Sequence, residues 1–230
     1  MSIYWIVGSI YYFFIKEKPF NRLLLVKSEH QQVEGISFLL ACYNESETVQ
    51  DTLSSVLSLE YPEKEIIIIN DGSSDNTAEI IYEFKKNHDF KFVDLEVNRG
   101  KANALNEGIK QASYEYVMCL DADTVIDDDA PFYMIEDFKK NPKLGAVTGN
   151  PRIRNKSSIL GKIQTIEYAS IIGCIKRSQS LAGAINTISG VFTLFKKSAL
   201  KDVGYWDTDM ITEDIAVSWK LHLFDYEIKY

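Results

Sequence analysis

The chain has 230 residues, 46% of them apolar and 25% charged, with a formal net charge of −8. That length and composition fit an ordinary globular protein with material for one large core or two small ones. The acidic balance argues against a general nucleic-acid binder, whose footprint is a basic face. Three cysteines, Cys42, Cys119 and Cys174, lie far apart in apolar contexts without metal-ligand spacing. That scatter predicts reduced core thiols facing a cytosolic compartment.

The first element is an aromatic-rich run, Ile3 to Ile15, that carries no charge. A lone membrane span needs about 17–25 residues, so this run is short for one. Cleavable signal peptides place basic residues before the apolar run, whereas here Lys16, Lys18, Arg22 and Lys27 follow it. We read residues 1–15 as the remnant of a transmembrane helix and 16–34 as a linker. The positive-inside rule then sets the rest of the chain on the cytoplasmic face of the cell membrane. A buried core helix or a surface-lying aromatic segment is the alternative.

Beyond the linker, strands and helices alternate. Ile36 to Cys42 is a continuous apolar run, read as a buried strand, and it ends in Tyr43-Asn44-Glu45. Ser46 is placed to cap a helix whose face carries Val49, Leu53, Val56 and Leu57. Glu65 to Asn70 contains four successive isoleucines, the signature of a strand covered on both faces of a parallel sheet. It stops at Asp71-Gly72-Ser73-Ser74-Asp75, with a helix expected from near Asn76. A third strand, Phe90 to Leu95, leads to Asn98-Arg99-Gly100-Lys101 and a helix through Ile109. The fourth, Tyr114 to Leu120, ends in Asp121-Ala122-Asp123. Four repeats of strand, polar turn and helix predict a mainly parallel α/β sheet. The pattern then loosens into a helix over 131–140, a strand over Leu144 to Thr148, a long helix from Ser157 to Arg177, a strand over Val191 to Lys196 and a helix over Ile211 to Leu223. Residues 36–230 read as one domain.

Chemistry concentrates at the strand ends, because ligands of open α/β sheets bind outside the carboxyl ends of the strands. Asp121 and Asp123, two residues apart, can converge on one hard cation, and Mg²⁺ is held by one or two carboxylates plus substrate phosphates. As strand-end acids they can equally form a turn or cap the helix near Ala130. Tyr43 could stack on a base, Asp71 could accept a hydrogen bond from one, and Lys101 could meet a phosphate. Further along, Thr212-Glu213-Asp214 opens the last helix, either as dipole-suited acids or as a carboxylate available for general-base work. Ser189-Gly190 is a place where a ligand could approach backbone. No GxGxxG or Walker sequence occurs, and the acids from Asp121 to Asp129 lack the glycine and spacing of an EF-hand.

Taken in order, Tyr43-Asn44-Glu45, Asn70-Asp71-Gly72-Ser73-Ser74-Asp75, Asn98-Arg99-Gly100-Lys101, Asp121-Ala122-Asp123 and Thr212-Glu213-Asp214 resemble the processive family 2 glycosyltransferases over essentially all of 36–230. The resemblance implies a GT-A fold, with a mixed, mainly parallel sheet flanked by helices. It also implies an inverting transferase that uses UDP-GlcNAc and Mg²⁺ or Mn²⁺ to extend a β-1,6-linked poly-N-acetylglucosamine acceptor for biofilm adhesion. Tyr43, Glu45 and Asp71 would hold the uridine, with Lys101 near the nucleotide. Asp121 would contact the nucleotide sugar and share the metal with Asp123, and Asp214 would be the base. The membrane and a small membrane subunit are further expected partners, and nucleic acid is not. Such synthases carry a Gln-x-x-Arg-Trp motif after the Thr-Glu-Asp motif; it is absent here, so the chain is expected to be incomplete and to make no polymer by itself.

Two rival readings stand beside it. Leu120-Asp121-Ala122-Asp123-Thr124-Val125 fits the nucleophile motif of haloacid-dehalogenase phosphohydrolases, in which the first aspartate takes up phosphate. The other is a non-catalytic nucleotide-binding remnant.

Overall fold

A computed structural model describes residues 3–17, 33–121, 126–149, 174–183, 185–190 and 192–230. Its centre is a seven-stranded sheet in the order β3-β2-β1-β4-β6-β5-β7. The first half is as expected. Strands β1 (Ile36–Cys42), β2 (Lys64–Asp71), β3 (Lys91–Leu95) and β4 (Tyr116–Asp121) pair in parallel, with β1 between β2 and β4. Helices α2 (Val49–Leu57), α3 (Thr77–Lys85) and α4 (Lys101–Gln111) connect them.

Side-chain alternation along these strands builds two cores, one on each face of the sheet. Phe38, Leu40, Ile66, Ile68, Met118 and Leu120 face one way, packing with Val49 and Leu53 of α2 and Ile81 of α3. Leu39, Ile67, Ile69, Val117 and Cys119 face the other way, against Leu105 and Ile109 of α4. This is why β2 needs an unbroken isoleucine run: both faces are dry, and each buried Ile contributes about 1.5–3 kcal/mol.

The second half is rearranged relative to chain order. Helix α5 (Ala130–Lys140) leads to β5 (Leu144–Thr148), but β6 (Phe192–Lys196) inserts between β4 and β5, antiparallel to both. The short helix α7 (Lys197–Asp202) follows β6, then α8 (Glu213–Leu223), and β7 (Glu227–Lys229) closes the edge parallel to β5. Neither α7 nor the three-residue β7 carries a sequence signal of its own. Most of the helix expected over 157–177 lies outside the described residues; its described end continues through α6 (Arg177–Leu181).

The run at the start is helical, α1 (Ile3–Tyr12), continued by a π-helical turn over Phe13–Glu17. Among the described residues no helix is long and apolar enough to cross a membrane. Helix α1 is tied to the body by Ser178 Oγ donating to the Trp5 carbonyl (2.8 Å) and by Tyr12 Oη donating to the Tyr230 carbonyl (2.8 Å). Its outer residues, among them Ile3, Val7 and Ile10, are exposed.

Because the chain moves outward from β1 to β2 and β3 and then returns to β4 on the other side, the order in which strands are added reverses between the parallel neighbours β1 and β4. Crevices at such reversal points are where open α/β sheets bind ligands. The β2–α3 turn depends on Gly72, whose φ is +62° and whose missing side chain leaves room for the backbone of Val97 and Asn98. A Cβ there would lie 2.4 Å from the Asn98 nitrogen. We expect Gly72→Ala to lower stability by about 1–3 kcal/mol or more, from backbone strain plus this collision. Urea unfolding of the two proteins checks it, and equal midpoints would show that the turn relaxes without cost.

Candidate active site

The loops leaving β1 and β2 are clasped together by their own polar side chains. Asn44 adopts φ 54°, a left-handed conformation that Asn tolerates. Its N–H donates to Ser73 Oγ (2.9 Å), and its Oδ1 accepts from the Ser74 N–H (2.8 Å). Asp75 accepts from the N–H of Ser46 (3.1 Å) through one oxygen and from that of Thr77 (3.0 Å) through the other. Thr77 Oγ1 in turn accepts the Glu45 N–H at 2.8 Å. Ser46 does not cap α2, because it lies two residues before the N-cap position, which Thr48 occupies. The Ser46 amide is committed to Asp75, residues 46–48 form a turn, and the helix begins at Val49. Asp75, rather than Asn76, satisfies the first amide of α3.

Within this frame Tyr43 is exposed at the end of β1, and Glu45 is half-buried with its carboxylate turned to the Thr48 hydroxyl. Asp71 is only 2% exposed. Its two oxygens accept the backbone N–H groups of Arg99 (3.1 Å) and Gly100 (2.8 Å), so it holds the loop that opens α4. Lys101, the next residue, reaches across to Asp121 at the tip of β4 and donates to the Gly190 carbonyl at 3.2 Å.

The last helix brings a third acidic element. Glu213 and Asp214, in the first turn of α8, line one crevice with Lys101, Cys119, Ile188 and Gly190. Gly190 does not face open space here. A Cβ on it would lie 2.5 Å from Asp214 Oδ2, so the glycine lets Asp214 lie against the backbone, where the sequence suggested room for a ligand. Segment 185–190 is fixed by the Ile188 N–H donating to Ser218 Oγ (3.1 Å) and the Ser189 N–H donating to Thr148 Oγ1 (2.8 Å). Thr212 occupies the N-cap position of α8 without a side-chain capping bond.

These charges perturb one another. Burial lowers the tendency of Lys101 to stay protonated, but Asp121, then Asp214 and Glu213, outweigh it and raise its pKa. Burial and the neighbouring Asp214 raise that of Glu213. Lys176 was not singled out by sequence, since it reads as one more cation beside Arg177. It is 5% exposed, and burial lowers its pKa to about 8 against the opposing pull of Asp214.

The structure therefore brings Lys101, Asp121 and Asp214 together, with Asp71 beneath the Lys101 loop and Tyr43 and Glu45 at the neighbouring strand end. Asp123 lies outside the described residues. Among the described residues no cluster of three or more His, Cys, Asp or Glu side chains is arranged around a common point.

The family model described as Glycosyl transferase family 2 matches residues 37–204, well over half of the chain. The chain belongs to glycosyl transferase family 2. A Staphylococcus epidermidis protein named poly-β-1,6-N-acetyl-D-glucosamine synthase is 99% identical over all 230 residues. Proteins of that name from Staphylococcus aureus are 77% identical over the same length. The chain spans 56% of the length of these relatives. Among solved structures, a mannosyltransferase from Pyrobaculum calidifontis in complex with GDP-Man and Mn²⁺ superposes with a TM-score of 0.72. The match covers 98% of this chain and 62% of that one at 20% identity. S. aureus TarS 1–349 in complex with UDP-GlcNAc superposes with a TM-score of 0.60, covering 84% and 55% at 20% identity. The architecture is the GT-A glycosyltransferase fold. Family membership sets aside the phosphohydrolase reading, whose nucleophile motif normally opens its domain rather than following three strand units.

The Asp75 clasp gives a pH test. Burial raises its pKa, but the hydrogen bonds from Thr77 and Ser46 outweigh that and hold it at about 2, below the ordinary 3.8. A depressed carboxylate stabilises the fold above its unfolded pKa and loses that contribution as pH falls through the folded value. The stability gap between the wild type and Asp75→Asn is thus expected to be full above about pH 4 and to close towards about pH 2. Urea unfolding of both proteins at stepped pH measures it; a gap independent of pH would contradict the clasp.

Proposed function

We propose that the crevice at the ends of β1 and β4 binds UDP-GlcNAc. We further propose that, in the complete polypeptide, it transfers the sugar to a growing β-1,6-linked poly-N-acetylglucosamine chain. The observation that carries the reading is the meeting of Lys101, Asp121 and Asp214 at the reversal point of a family 2 sheet. The names and bound donors of the relatives and structural neighbours support it.

In this reading Tyr43 stacks on the uracil, with Glu45 beside it, and Asp71 faces the base from below while it holds the Arg99–Gly100 backbone. Lys101 supplies positive charge to the diphosphate. Asp121, at the end of β4, and Asp123 would hold a divalent cation, Mg²⁺ or Mn²⁺, and their hard carboxylate oxygens fit such an ion. Such a cation would supply positive charge to offset that on the departing UDP. Asp214, fixed against Gly190, accepts the proton of the acceptor hydroxyl at a carboxylate oxygen. The hydroxyl oxygen then attacks the anomeric carbon in line, the bond to the UDP oxygen breaks, and an α-linked donor gives a β-linked product. The exposed apolar face of α1 supports placing this catalytic domain beside the cell membrane on its cytoplasmic side, with a small membrane subunit as a further partner.

The discriminating variant is Asp214→Asn in the full-length protein. A general base contributes typically about 10²–10⁴-fold, and an amide cannot accept the proton, so transfer is expected to fall by that order while donor binding persists. If Asp214 were only a helix-start acid, the change would cost about 0.3–1 kcal/mol of stability and leave turnover intact. UDP release at saturating UDP-GlcNAc, read beside a thermal melt, separates the two. Robust turnover by the variant would remove Asp214 from the mechanism.

A further inference from the structure

Helix α8 has two unlike faces. Val217, Ser218 and Leu221 are buried against the sheet. On the opposite side Ile215, Trp219 and Leu223 fall at four-residue spacing, and Ile211 continues the row one turn back. These four side chains are 38%, 61%, 81% and 97% exposed, in the order Ile215, Trp219, Leu223 and Ile211. A row at this spacing is the ridge that packs into the groove of another helix. Single exposed apolar residues need no explanation, but a continuous row marks an interaction site.

We propose that this outer face of α8 seats a helical segment from the part of the polypeptide that the relatives have and this chain lacks. A little under half of the relatives' length lies outside this chain, although the two agree at 99% of the positions they share. That is ample material to cover one helix face. A lipid surface suits the face poorly. Asp207, Asp209 and Asp225 lie close to the row in sequence, and Lys220 is turned inward to the Tyr205 carbonyl and Asp207. Helices that lie on anionic bilayers carry Lys and Arg on the polar side instead. A second copy suits it poorly as well, since one row of a single helix falls short of the roughly 800 Å² per partner that a stable complex buries.

The helix that presents this ridge also carries Glu213 and Asp214 in its first turn. A segment seated on the ridge fixes the tilt of α8 and with it the position of Asp214 in the crevice. The docking itself stands whether or not Asp214 is the base.

The test compares Trp219→Cys and Leu223→Cys in the 230-residue chain and in the full-length protein. Both are labelled with a water-soluble maleimide and read peptide by peptide. Lys86→Cys, on an exposed side chain at the end of α3, is the control. Labelling at both test positions is expected to be fast in the 230-residue chain and slower by about tenfold or more in the full-length protein, in detergent as in vesicles, with the control unchanged. Leu223→Cys keeps the test open if Trp219→Cys does not fold. Equal rates in the two proteins would overturn the proposal. So would protection of the 230-residue chain that grows with its concentration, the mark of a second copy, or protection that appears only with vesicles, the mark of a bilayer.

Discussion

Two carboxylates at the ends of separate strands hold one short piece of chain between them. Asp71, closing β2, takes the amides of Arg99 and Gly100, and Asp121, closing β4, takes the ammonium of Lys101. The stretch from 99 to 101 thereby bridges the ends of two strands that flank β1. From the other half of the chain the Gly190 carbonyl meets this bridge at Lys101. Removing either carboxylate would leave backbone amides or a part-buried ammonium short of a partner, at about 1–3 kcal/mol for each unsatisfied group.

The bridge also has the electrostatics expected of a site for a dianionic leaving group. The Lys101 and Asp121 side chains are each about 30% exposed, 31% and 29% respectively, so solvent screens their attraction and a ligand can compete for either partner. Asp214 and Glu213 on α8 also raise the pKa of Lys101, and Asp214 acts likewise on Lys176. Among the described residues three acids share Lys101 and Lys176, so the crevice keeps carboxylate charge beside ammonium charge. At the opposite end of the sheet Glu65 has its own set of partners instead, bonded to Ser37, Lys91 and Ser113.

Much of this was legible in the chain. An apolar strand that stops at an acid has few explanations, and β2 ending at Asp71 and β4 ending at Asp121 were both readable, as were the Lys101 and Asp214 helix starts. The division of labour was not. A turn-forming aspartate and one that holds a distant loop look alike in sequence, so the grip of Asp71 on Arg99 and Gly100 needed coordinates. Ser46 carries the right chemistry for a cap, but the helix starts at Val49, with Thr48 at the N-cap position. Lys176 is hidden because burial, rather than its neighbours in sequence, makes it unusual. The insertion of β6 between β4 and β5 reverses chain order, which local periodicity does not encode.

The most direct test of the account is calorimetry of UDP-GlcNAc, UDP and UMP against the purified chain, with Mn²⁺ or Mg²⁺ and again after EDTA. If the strand-end crevice is a metal-assisted diphosphate site, UDP and UDP-GlcNAc bind only with the divalent cation, and UMP binds more weakly and with less dependence on it. Binding of UDP that is indifferent to EDTA, or no binding in either condition, would contradict it.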